Sequence, residues 1–133
     1  MAKISKDVAT EDFEKWLDYK RISDRLREKN QDSEETLIGA IEDGLLTVNE
    51  DMTLTQRLQF PTEGDSPITE LKYKPRLKMF EKENAVKGIK PTDADGRMRG
   101  YIQQLTGAPK GVIQKLEAGD DVQIAQAIAF YFL

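Results

Sequence analysis

Cysteine and histidine are both missing from this chain of 133 residues. Without cysteine there is no disulfide framework, no thiolate nucleophile and no sulfur ligand for a metal. Without histidine the commonest general base at neutral pH and the commonest transition-metal ligand are gone. Catalysis would have to rest on carboxylates, lysines or hydroxyls. Scattered carboxylates such as Glu70 and Glu81 have no partner at a recognisable catalytic spacing. No catalytic residue, metal site or cofactor is therefore expected. Long apolar runs are scarce as well: residues 1–10 are short and polar, so neither a secretion signal nor a spanning helix is expected.

What is present suits one modest domain. A hydrophobic fraction of 38% against 33% charged residues allows only a thin core. The net charge of −4 argues against general electrostatic affinity for nucleic acid or anionic membranes. No internal repeat or low-complexity tract is visible.

The last third is the most patterned. Met98, Tyr101, Ile102 and Leu105 recur at i, i+3, i+4 and i+7, one apolar stripe of a helix. Thr92 stands where an N-cap belongs, with Asp95 three residues on. Thr106-Gly107-Ala108-Pro109 ends that helix and starts another, since proline fits a first helical turn. Val112, Ile113 and Leu116 carry the second stripe, and Gly119 is placed for a left-handed C-terminal cap. Asp120 or Asp121 then caps a third helix, on which Ile124, Ala125, Ile128 and Tyr131 face one way. The sequence closes on Phe130, Tyr131, Phe132 and Leu133, which on a continuous helix point around most of its circumference. That surface is expected to lie in a self-association or partner interface.

The spacing predicts a flexible lead-in over residues 1–9 and a first helix starting after Thr10. Phe13, Trp16, Ile22 and Leu26 share one face of it, opposite a dense set of charges. That face is read as a buried stripe, with Trp16 as the anchor if the helix instead binds a partner. Asp32 and Glu35 stand at capping-box spacing ahead of a second helix carrying Leu37, Ile38, Ile41 and Leu45. The period then changes to alternation. Met52, Leu54, Leu58 and Phe60 point one way, with Gln56 as the polar exception, and Thr69, Leu71 and Tyr73 share a face of a second strand. Residues 46–48 add a third short strand. After Pro75, Leu77, Met79 and Phe80 give a brief helical turn, followed by a polar connection over 81–90.

The pattern predicts an α+β fold, a helix-rich small domain with a β-hairpin packed against short helices. It divides as one domain over 1–133: an N-terminal helical pair (1–45), a hairpin region (46–75) and C-terminal helices (76–133).

Four local signals bear on chemistry. Asp93-Ala94-Asp95-Gly96 resembles part of a calcium loop, but aligning Gly96 with the required glycine puts Pro91 and Ile102 at ligand positions, and neither can ligate. Pro109-Lys110-Gly111 lacks the glycine spacing and hydroxyl of a phosphate-binding loop. The helices flanking 106–109 offer few base-reading side chains for a helix-turn-helix. The middle of the chain is basic, through Lys72, Lys74, Arg76, Lys78, Lys82, Lys87 and Lys90. It could meet phosphates, with Tyr73, Phe80 and Tyr101 to stack on bases, or serve as a solvated strand edge.

Residues 53–61 lead to a strand reading Ile68-Thr69-Glu70-Leu71-Lys72-Tyr73-Lys74-Pro75. Beyond a polar segment come Tyr101-Ile102-Gln103-Gln104-Leu105-Thr106-Gly107-Ala108-Pro109, Gly119-Asp120-Asp121 and an apolar terminal helix. This order, over about residues 52–133, resembles the tail assembly chaperones of contractile-tailed phages. The resemblance implies a non-enzymatic protein of the host cytoplasm that coats the tape measure protein and brings tail tube subunits to it during virion assembly. It also implies a longer frameshifted product in many such genes. Candidate partner-binding residues are Trp16, Tyr101, Phe130, Tyr131 and Phe132, with Leu105 and Ile128 as further groove residues that serve equally as core. Homo-oligomers are an open expectation; membranes and nucleic acid are not expected partners. Two other readings stay open: a small phage nucleic-acid-binding regulator using the basic middle, and a structural tail or baseplate adaptor.

Overall fold

The structure is a computed structural model that describes residues 4–64 and 67–132. Among them an α+β fold is formed by α1 (Lys6–Lys20), α2 (Asp24–Lys29), α3 (Gln31–Glu42), β1 (Leu46–Val48), β2 (Leu54–Arg57), β3 (Glu70–Tyr73), α4 (Met79–Val86), α5 (Ala94–Thr106), α6 (Lys110–Gln114) and α7 (Asp120–Ala129). The strands form one antiparallel sheet in the order β1-β2-β3.

The N-terminal region departs from the expected helical pair. Ser5 caps α1, its hydroxyl accepting the Val8 N–H at 3.3 Å, so the helix begins at Lys6 rather than after Thr10. The expected lead-in is thereby helical from Lys6 to Ala9, while residues 1–3 lie outside the described residues. Ala9, Phe13, Trp16 and Leu17 form its buried stripe. Arg21 then adopts a left-handed conformation (φ 55°) and stops the helix. Ser23 starts α2 by accepting the Leu26 N–H at 3.2 Å, so the single helix expected here is two. Arg27 binds them to the third: it donates to both carboxylate oxygens of Glu14, at 2.9 and 2.6 Å, and to Glu34 at 2.7 Å. Hydrogen bonds to Glu14 first, and to Glu34 second, raise the guanidinium's pKa.

The Asp32–Glu35 capping box does not form. Asn30 occupies the cap position and α3 starts at Gln31, leaving Asp32 inside the first turn. Asn30 instead donates its side-chain amide to Leu26 O at 3.0 Å.

The sheet follows the alternation. Leu54 pairs with Val48 and Tyr73, and Gln56 with Leu46 and Leu71. Leu46, Leu54, Gln56, Leu58, Leu71 and Tyr73 are all buried, while Thr69 is exposed and Met52 half-buried in the β1–β2 turn. Phe60, expected on the buried face, is 58% exposed. Alternation breaks there because the Gln59 and Phe60 N–H groups both turn toward Asp121. The free edge of β3 is tied to α5 by Lys74 N–H donating to Leu105 O at 3.0 Å.

The polar connection expected over 81–90 is helical as far as Val86. Glu81 supports that start by accepting the Lys78 N–H at 3.0 Å. α4 lies close against α5, because a Cβ on Gly100 would sit 1.8 Å from Ala85 O. Asp93, one residue after the expected Thr92, caps α5. Gly107 closes that helix in the left-handed conformation (φ 71°). Gly119, expected to close α6, instead precedes α7 in a glycine-type extended conformation (φ 125°, ψ −138°).

The core is centred where α1, α3 and α7 meet. Trp16 packs edge-on against Tyr131, with ring centroids 5.5 Å apart, and Phe13 and Phe132 complete the aromatic group. Among the described residues no helix is long and apolar enough to cross a membrane.

Candidate partner-binding groove

The five residues singled out for partner binding are not brought together on a surface. Trp16, Tyr101, Tyr131 and Phe132 are buried in the chain's own core, as are Leu105 and Ile128. Phe130 alone is exposed, at 42%. The terminal aromatics separate because α7 ends at Ala129. Beyond it Tyr131 N–H bonds to Ile128 O and Phe132 N–H to Ala129 O, a tighter i→i+3 pattern. Both rings swing inward, and the Tyr131 hydroxyl donates to Asn30 O at 3.3 Å. Burial raises that hydroxyl's pKa. Of the apolar surface expected around the whole terminus, Tyr131 is covered by Phe13 and Trp16 and Phe132 by Trp16, Phe130 stays exposed, and Leu133 lies outside the described residues.

An apolar concavity does exist, between α5, α6 and α7. Its volume is about 510 Å³. Met98 and Ile102 come from α5, Ile113 and Leu116 from α6 and the turn after it, and Val122 and Ala125 from α7. Asp95, Arg99, Gln114 and Gln126 form a polar rim. The groove arises because α6 is a single five-residue piece, too short to cover the angle between the two longer helices. Most of its floor doubles as core, while Val122 is half-buried at the lip.

The apolar stripes of α5 and α6 were legible as helix faces, and they supply four of these residues. Their sharing one concavity was not, since periodicity gives the face of a helix but not the crossing of two. The brevity of α6, bounded by Pro109 and the Glu117–Gly119 turn, was the signal available.

Chemically the groove offers apolar contact edged by one carboxylate, one guanidinium and two amides. Grooves of this make-up suit the apolar face of an amphipathic helix. Compared with protein-family models, with curated proteins and with solved structures, the chain has no match.

Proposed function

We propose that this chain is a tail assembly chaperone of contractile-tailed phages, a non-enzymatic protein that shields the tape measure protein and helps recruit tail tube subunits to it. The observation that carries this reading is the α5–α6–α7 groove, which falls within the stretch that resembles those chaperones. A tape measure protein is a long, largely helical chain with apolar stripes that need cover until the tube encloses them. A helix laid in the groove would set its apolar anchors on Met98, Ile102, Ile113 and Val122, and its polar flanks against Asp95 and Arg99. Burying one large apolar side chain contributes roughly 1.5–3 kcal/mol, so three or four anchors suffice for a reversible hold.

Co-expression with a tape measure protein of a contractile-tailed phage tests the reading. The two are expected to co-purify, and Val122→Glu, at the half-buried lip, is expected to abolish capture while the variant still folds. Capture that survives Val122→Glu would remove the groove from the mechanism. No capture by the unaltered chain would end the chaperone reading, and recovery of the chain from finished particles would favour a structural adaptor.

A further inference from the structure

A second concavity, of about 550 Å³, lies between the α4–α5 connection, the outer side of α5 and the start of α6, and its character is the opposite of the groove's. Lys87 and Lys90 from the connection, Arg99 from α5 and Lys110 from α6 line it. Asp93 is the one carboxylate among its lining residues, and it is already engaged, accepting the Gly96 N–H at 2.9 Å as the cap of α5. None of the four cations makes an ion pair with a described residue. All four cations are exposed, so water screens their mutual repulsion, while the shared volume still concentrates positive charge.

The arrangement is set by the backbone. Gly100 lets α4 approach α5 closely, and Gly88, with φ of 75°, turns the chain back immediately after Lys87. Arg99 and Lys110 reach the same space from separate helices. The volume falls in the usual range for small-ligand sites. No aromatic side chain lines it, so nothing there would stack on a base. With a chain charge of −4, an extended polyanion running across the surface would meet repulsion beyond the cavity.

We propose that this cavity binds a compact polyphosphate anion, held by Lys87, Lys90, Arg99 and Lys110, with the amides of Asn84 and Gln103 as neutral donors. The same chemistry is carried by inorganic tripolyphosphate and by the phosphate chain of a nucleoside triphosphate. The site shares Arg99 with the rim of the apolar groove but does not depend on the chaperone reading.

Titration of the 133-residue chain with sodium tripolyphosphate, adenosine triphosphate and a thymidine oligonucleotide, followed by amide NMR at low salt, tests it. Saturable shifts confined to residues 84–90, 93–99, 103 and 110 are expected with tripolyphosphate. Lys110→Gln, an exposed position, is expected to weaken binding by about tenfold, and Lys90→Gln with Arg99→Gln by more, with Lys110→Arg restoring it. Equal affinity for tripolyphosphate and adenosine triphosphate supports a site for the phosphate chain alone. Tighter binding of the nucleotide supports the same site with added contacts to the nucleoside. Shifts that do not saturate, that spread over lysines throughout the chain, or that persist unchanged in the variants would overturn the proposal. Binding of the oligonucleotide without tripolyphosphate would overturn it as well.

Discussion

The carboxylate of Asp121 accepts the backbone N–H of Gln59 at 2.9 Å, joining the first turn of α7 to the end of β2. Its other oxygen takes the Phe60 N–H at 3.1 Å. The Asp121 carbonyl accepts from the Gln56 amide at 2.8 Å, and that amide's oxygen accepts the Tyr73 hydroxyl at 2.6 Å. Gln56 sits on the apolar face of β2 for this reason: its polar atoms are paired on both sides, so burial costs little. Burial first, and the Asp121 charge second, raise the pKa of Tyr73 and keep its hydroxyl a donor.

Replacing Asp121 with alanine strands two N–H groups and frees the turn after β2. A loss of about 1–3 kcal/mol is expected in urea denaturation. Hydrogen exchange should quicken at Gln59 and Phe60 while the β1–β2 pairs keep their protection. Uniform quickening across the sheet would mean that the carboxylate anchors the whole domain rather than this turn.

Lys20 is the chain's misplaced charge. Its ammonium lies 3.4 Å from the centroid of the Phe132 ring and donates to Pro75 O at 2.9 Å. Burial first, then the charges of Arg76 and Lys82, lower its pKa from 10.5 to about 7. Because the folded value lies below the unfolded one, the unfolded chain holds more protons between these limits. This group's contribution to stability therefore improves as pH rises through that window, and it is flat and least favourable below it. From about pH 7 to about pH 9 the gain is on the order of 2 kcal/mol. Lys20→Met should raise stability at about pH 7 and flatten the dependence. A variant that keeps the slope would assign it to other groups.

Two glycines on helices should respond in opposite directions to alanine. A Cβ on Gly100 would lie 1.8 Å from Ala85 O, a backbone atom that moves only if α4 moves. Gly100→Ala should cost at least the roughly 1–3 kcal/mol of ordinary overpacking. Gly39, inside α3, has nothing within 4 Å of the same position. Gly39→Ala should stabilise by about 0.5–1 kcal/mol through helix propensity. Thermal melts of the two variants check both signs.

How much of this was legible followed from whether the cause was local. The Met98–Leu105 stripe, the alternation of β2 and β3 and the glycine after Thr106 are local patterns, and the structure keeps each. Helix starts at Ser5 and Ser23 are equally local, but exposed Val8 near the first and charged neighbours at both blur the apolar period around them. Phe60 could not be read from its own strand, since the residue that turns it outward is Asp121, 61 positions away. The groove and the basic cavity depend on how helices cross, and nothing local to Lys110 marks it as lining one space with Lys87. The terminal aromatics misled for a related reason: a 3.6-residue period assumes that the helix continues, and α7 stops at Ala129.

That stop sets the contrast between Phe130 and Tyr131. Adjacent in sequence, they differ from 42% to 3% exposure. Tyr131 packs against Phe13 and Trp16, with ring centroids 6.0 and 5.5 Å away, and its hydroxyl reaches Asn30 O. Tyr131→Ala would open a cavity at the junction of α1, α3 and α7, and large aromatic truncations of this kind cost about 3–5 kcal/mol. Tyr131→Phe keeps the packing and loses only a long hydrogen bond, so roughly 0.5–1.5 kcal/mol is expected. Phe130→Ala removes a ring already in water and should stay within about 0.5 kcal/mol. Urea denaturation of the three variants, with sedimentation to follow their assembly state, separates a core role from an interface role. Equal destabilisation by Phe130→Ala and Tyr131→Ala would show that the helix runs on through the terminus. A change of assembly state in Phe130→Ala, at unchanged stability, would place that one exposed ring in an interface while leaving Tyr131 in the core.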